Sequence, residues 1–249
     1  MPKFDFAVEP KDATGCVVVF HEIWGLTEHT KDICKRLGKL GFAAGAPDLF
    51  RDQKKLLTPD NIQKAMDVVW DLTLEERWDR SKIERVLTSK TPGLEVVETV
   101  DLLYDRGFRD AILQSAAETL AESSLKFGGA SALGFSFGGG IGFRVAARAS
   151  NIRSVVSYYG DPPGGDDLRR ITCPILAIYA GEDRFMNRRV PEFAAEAAKA
   201  GKDLTLRTIP GVNHDFFDDT KASFDVAAAA EAWGLTTRFL KRTLGSKKL

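Results

Sequence analysis

The chain has 249 residues, enough for one large α/β domain with a substantial buried core. Lysine plus arginine and aspartate plus glutamate both number 35, so the formal net charge is zero and no global field attracts nucleic acid or an anionic membrane surface. Three widely spaced cysteines, Cys16, Cys34 and Cys173, form no CxxC pair for zinc or redox chemistry, and no run of roughly 18 apolar residues offers a membrane span.

The opening "MPKFDFAVEP" carries charges where a secretion signal would be apolar, which sets the expectation of a soluble protein in the reducing cytoplasm. Within it, Phe4 to Val8 reads as an edge strand. "CVVVF" from Cys16 is a short apolar run of the kind buried on both faces, and a helix is expected over Thr27 to Leu40. A second strand follows in "FAAGAPDL" from Phe42. From about Arg51 to Lys126 there is no convincing strand, only charged helical pattern with a break near "TSKTPG". Part of that segment must be a crossover helix on the sheet, and the rest either covers a site or forms outer scaffold. Further strands are expected in "ASALGF" from Ala130, "SVVSYYG" from Ser154, "CPILAIYAG" from Cys173 and "LTLRTIPG" from Leu204. Helices are expected at Gly139 to Ala149, Val190 to Ala200 and Ala222 to Leu240. This alternation implies a single α/β domain built on a mainly parallel sheet with helices on both faces.

Chemistry enters at Gly134-Phe135-Ser136-Phe137-Gly138, a G-x-S-x-G pattern between an apolar strand and a helix of small residues. In such an elbow the serine adopts a strained backbone conformation, and side chains two residues to either side would collide. Alone, five residues with three fixed letters also occur by chance in glycine-rich loops. Two further residues make the pattern specific. Asp183 follows the strand "CPILAIYAG", and His214 follows "LTLRTIPG", so the chain order is Ser, Asp, His with the last two past strand ends. Read singly, Asp183 is a turn or cap residue and His214 a solvated loop histidine. Read together, Ser136 is a nucleophile, His214 its general base and Asp183 the group that orients the imidazole. Backbone N–H groups of Phe137 and Ile23 are placed to form an oxyanion hole. Glu22, a carboxylate just after a buried strand, is expected either to have a raised pKa or to form a salt bridge with an arginine.

"HEIWGL", "PDLF", "GFSFGG", "SYYG", "GEDRF" and "GVNHDF" occur here in the order seen in the dienelactone hydrolase (carboxymethylenebutenolidase) family, which the chain resembles from Val17 onward. The resemblance implies an α/β-hydrolase fold and a soluble enzyme that cleaves a small-molecule enol-lactone or related ester with neither metal nor organic cofactor. Carried over by position, Ser136, Asp183 and His214 match the triad, Glu22 the carboxylate beside the nucleophile, and Ile23 and Phe137 the oxyanion donors. The chain departs from the family in three ways. The nucleophile is a serine where well-known members have a cysteine. Asp218 stands where they place an arginine that grips a substrate carboxylate, so an anionic lactone loses a bidentate partner here. The N-terminus also reads as one strand shorter. Arg184, Arg77 and Arg80 are candidates to replace the missing cation, or simply surface charges. Trp24, Phe137, Tyr159 and Phe216 are expected to line a pocket for an apolar or aromatic group. Thioester cleavage, acyl transfer on the same triad and ligand binding without turnover stay open as alternatives, and the sequence specifies no oligomeric state.

Overall fold

The computed structural model describes residues 2–73 and 75–245. The first part of the chain runs β1 (Phe6–Val8), β2 (Cys16–Phe20), α1 (Glu28–Lys39) and β3 (Ala43–Ala46). Four helices follow: α2 (Pro59–Val69), α3 (Arg80–Lys90), α4 (Leu94–Leu103) and α5 (Arg106–Phe127), with short 3-10 turns at Arg51–Gln53 and Glu76–Trp78. The remainder is β4 (Ala130–Phe135), α6 (Phe137–Ala146), β5 (Ile152–Tyr158), α7 (Gly165–Arg170), β6 (Ile175–Ala180), α8 (Arg184–Asn187), α9 (Val190–Lys199), β7 (Leu204–Ile209) and α10 (Val226–Leu244).

The strands form one seven-stranded sheet in the order β1-β3-β2-β4-β5-β6-β7, in which β1 is an antiparallel edge and every other pairing is parallel. The uninterrupted apolar runs explain this arrangement. Every residue of β2, β3, β4 and β6 is buried, which requires cover on both faces. Alternate residues serve opposite cores: Val18 and Phe20 join the one that α5, α6 and α9 cover, whereas Val17 and Val19 join the one that α1 and α10 cover. The two edge strands, β1 and β7, show the alternating burial of a rim strand with one wet face.

The segment without strands is now resolved into parts. α5 is the crossover, a 22-residue helix capped by Asp105, whose side chain accepts the Phe108 N–H, and ended at Gly128 in the left-handed region. α2 to α4 pack outside it, and Ile62, Val69, Ile83 and Val100 join the same core cluster. Two helix starts differ from expectation. α6 begins at Phe137, because the turn at Ser136 ends the strand and opens the helix with no intervening loop. α10 begins at Val226, because the Asp225 carboxylate accepts the Ala228 N–H and fixes the start there. The three cysteines are buried and unpaired, and among the described residues no helix is long and apolar enough to cross a membrane.

Candidate active site

The site is built at the carboxyl ends of the parallel strands. β4 ends at Phe135, and Ser136 takes φ 49°, ψ −114°, a conformation that costs energy in any residue with a Cβ. Backbone bonds hold it there: the Ser136 N–H donates to Tyr158 O at 2.9 Å, and Ser136 O accepts from the Gly140 N–H at 3.1 Å. The flanking glycines are required by close approach. A Cβ on Gly134 would lie 2.1 Å from Gly138 O, and one on Gly138 would lie 2.1 Å from Phe20 O.

Three loops converge at this turn. Ser136 Oγ lies 2.8 Å from His214 Nε2, and His214 Nδ1 lies 2.5 Å from Asp183 Oδ2. An ionised Asp183 can only accept, so Nδ1 carries the proton and Nε2 is left to accept from the serine hydroxyl. The other oxygen of Asp183 accepts the Phe185 and Met186 N–H groups at the start of α8, which fixes the carboxylate at both ends. Burial opposes its ionisation, but the His214 hydrogen bond and charge, with those two amides, hold its pKa below the usual value. For His214, burial opposes protonation, and the Asp183 hydrogen bond together with the charges of Asp215, Asp183 and Glu22 outweighs it, so its pKa is raised.

The loop after β2 is held by His21. Its buried ring donates from Nδ1 to Glu22 O at 2.6 Å and accepts the Leu49 N–H at Nε2 at 2.9 Å, a pattern that requires the neutral tautomer. Burial lowers its pKa, consistent with that state. No local pattern marks His21 in the sequence, since its partner lies 28 positions away in the loop after β3. The Ile23 and Phe137 N–H groups donate to no other described residue, as oxyanion donors require.

Glu22 is 4% exposed, and its Oε1 has no hydrogen-bond partner. The arginine salt bridge considered from sequence is not formed among the described residues. Burial first, and then the charges of Asp215 and Asp218, push its pKa up to about 8, against the pull of His214 and Lys221. The folded state therefore holds a proton that the unfolded chain releases above the ordinary glutamate value. Stability contributed by this residue falls as pH rises toward 8. Glu22→Gln is expected to be more stable than the parent at pH 9, on the order of a few kcal/mol, with the difference vanishing near pH 4. Urea unfolding at both pH values checks this, and a pH-independent difference would refute it.

Other expected site residues separate into two groups. Trp24 is half-buried with Lys221 Nζ 4.8 Å from its ring, and Phe137 packs against Phe50 at 5.8 Å. Tyr159 and Phe216 do not line the pocket: both are wholly buried, in contact with each other at 5.6 Å, and Tyr159 backs the His214 ring at 4.7 Å. Their loops fold inward and deliver these rings to the core shared with α10. Asp218 is buried, and its Oδ1 closes a turn by accepting the Thr220 N–H and hydroxyl.

Of the arginines, Arg80 pairs with Glu84 and Asp101, and Arg184 is exposed. Arg77 is not a surface charge. It is buried, donates to Leu72 O and lies 4.9 Å over the Phe185 ring. The cation beside the nucleophile turn is Arg109 of α5, 4.4 Å over Phe137 and 5.4 Å over Trp78, with no salt bridge among the described residues. Burial pulls its pKa to about 10. No local pattern distinguishes it in sequence from neighbouring Arg106.

Comparison with known proteins agrees with this architecture. The chain is similar to a dienelactone hydrolase-like promiscuous phosphotriesterase from metagenomic libraries, with a TM-score of 0.65 and 19% identity over 94% of this chain and 88% of that one. It is also similar to a dienelactone hydrolase from Anabaena variabilis, with a TM-score of 0.57 and 22% identity over 95% and 90%. At those identities the likeness establishes the fold, that of the α/β-hydrolases. A Saccharolobus solfataricus protein provisionally named carboxymethylenebutenolidase is 33% identical over 242 residues, 95% of this chain and 93% of that protein. Since the family pattern described as "Dienelactone hydrolase family" also matches residues 5–244, the fold, the relative and the order of the strand-end motifs agree, and the chain belongs to the dienelactone hydrolase family.

Proposed function

We propose that the protein is a serine hydrolase that cleaves small carboxylic esters or lactones through an acyl-enzyme. The observation that carries this reading is the unbroken hydrogen-bonded line from Ser136 Oγ through His214 to Asp183. As Ser136 attacks the carbonyl carbon, its proton passes to His214 Nε2, and the imidazolium is stabilised by Asp183. The carbonyl oxygen becomes an oxyanion facing the Ile23 and Phe137 amides. Collapse of the tetrahedral intermediate expels the alkoxide, which takes the proton from Nε2. A water then repeats the sequence on the acyl-enzyme and frees the acid. The Phe137 ring beside the nucleophile suits an apolar or aromatic group, and the Arg109 guanidinium over that ring adds a positive charge.

The test is labelling with a fluorophosphonate. One equivalent is expected at Ser136, with none on the Ser136→Ala variant; labelling elsewhere, or none, would overturn the reading. A panel of short esters, lactones and thioesters compared by kcat/KM then fixes the bond class, and thioesters leading by orders of magnitude would replace the ester assignment.

The pH profile follows from the base. Only neutral His214 can accept the serine proton, and its raised pKa makes the neutral form scarcer at a given pH. The rising limb of kcat/KM is therefore expected to have its midpoint above the ordinary imidazole value of about 6.5. Hydrolysis of p-nitrophenyl acetate from pH 5 to 10 measures it; a flat profile would remove histidine from the mechanism.

A further inference from the structure

We propose that His29, Asp218 and Asp219 form a divalent-cation site, separate from the triad, that ties the first turn of α1 to the loop carrying His214. The primary observation is a stranded imidazole. His29 is 4% exposed, and neither of its ring nitrogens has a hydrogen-bond partner. The ring lies edge-on to Phe135 at 5.2 Å and Phe217 at 6.0 Å, which keeps it from turning to solvent. Its Nδ1 faces Asp218 Oδ1 at 3.5 Å, too far for a good hydrogen bond. A buried polar ring left without a partner calls for an occupant of the space beside it.

The carboxylates complete a donor set. Asp218 is 3% exposed and is held by the Thr220 N–H at 2.9 Å and hydroxyl at 2.7 Å. One ligand atom from each of His29, Asp218 and Asp219 lies within 4.8 Å of the other two. A tetrahedral ion with bonds near 2.1 Å needs ligands about 3.4 Å apart. The His29 and Asp218 atoms already meet that spacing, and Asp219 is the exposed member able to close on it. Its present neighbour, Arg36, lies 3.9 Å away and keeps Asp32 as a partner at 2.5 Å when Asp219 turns.

The chemistry favours an ion over a proton as the occupant. Burial lowers the His29 pKa against the pull of Asp218 and Asp219, which favours the neutral ring, the form that ligates metal. A neutral imidazole with two carboxylates balances a dication, and imidazole selects zinc-like ions over magnesium or calcium. The bound ion would brace two loops at once. α1 follows directly on the loop of Glu22 and Ile23, and Asp218 lies a few residues beyond His214.

The test uses the full chain stripped with EDTA and titrated with zinc chloride by calorimetry, with melting curves in parallel. One saturable zinc ion per chain is expected, with Tm rising with zinc concentration. Asp219→Asn, an exposed change, should weaken binding at least tenfold, and His29→Phe, which keeps the ring packing, should abolish it. His214→Ala must retain binding, because an ion captured by the solvent-facing imidazole of the triad would be lost with that ring. The proposal is overturned by absence of saturable binding, by unchanged affinity in Asp219→Asn, or by loss of binding in His214→Ala. Should His29→Phe fail to fold, the Asp219→Asn and His214→Ala arms decide alone.

Discussion

Ser136→Ala is expected to lower kcat/KM by about 10⁴-fold or more while leaving the melting temperature within a few degrees of the parent. The size follows from how the three groups work together. Without the hydroxyl, no covalent intermediate forms, and His214 and Asp183 retain only the weak option of activating water. The remaining acceleration comes from binding and the oxyanion amides. His214→Ala should lose a similar factor, and the double variant little more, because groups that act as a unit do not contribute additively. The fold should tolerate the change: the conformation of residue 136 is held by backbone bonds to Tyr158 and Gly140, which an alanine also makes. Turnover with a short ester, set beside circular dichroism, checks both halves. A variant that retains a tenth of parental activity would mean that another residue is the nucleophile.

Gly138→Ala is expected to be, with Gly134→Ala, among the most damaging small substitutions in the protein. Its Cβ would lie 2.1 Å from Phe20 O and 2.5 Å from His21 O, both backbone atoms at the end of β2 that cannot rotate away. Either the nucleophile turn or the end of β2 must move, and β2 lies in the middle of the sheet. The cost is put at about 3 kcal/mol or more, from overpacking with no flexible neighbour to yield. Activity should fall as well, since displacement at Phe20 carries His21, Glu22 and Ile23 with it. Gly234→Ala is the control. That residue lies inside α10, its Cβ would meet only the far end of Arg238 at 3.4 Å, and removing a helical glycine should stabilise by about 0.5–1 kcal/mol. Urea unfolding midpoints for the two variants should move in opposite directions.

The strands and the hydrogen-bonded line of Ser136, His214 and Asp183 were legible because each rests on local signals. "CVVVF" and "ASALGF" read as strands buried on both faces, and Ser136 in "GFSFGG", Asp183 in "YAGED" and His214 in "GVNHD" lie where parallel strands must end. What escaped was decided by backbone conformations that no local pattern announces. Tyr159 at φ 39° and Asp215 at φ 63° are non-glycine residues in the left-handed region. Those turns send the Tyr159 and Phe216 rings into the core, where sequence proximity to the triad placed them at the pocket. The double hydrogen bond of His21 depends on Leu49, and the stacking of Arg109 on Phe137 depends on where α5 crosses the sheet. Helical periodicity reveals a helix but not which neighbour its charged face meets. The departure at Asp218 was visible, but its approach to His29 was not, since 189 positions separate them and only the packed loops bring them together.

The imidazole depends on one margin of the sheet. β7 is bonded along one side only, to β6, and its outer face is wet. Warming loosens such margins before it reaches the interior. Catalysis should then fade at temperatures where spectroscopy still reports an intact molecule, and the working lifetime of the catalyst is governed by six rim residues more than by its core.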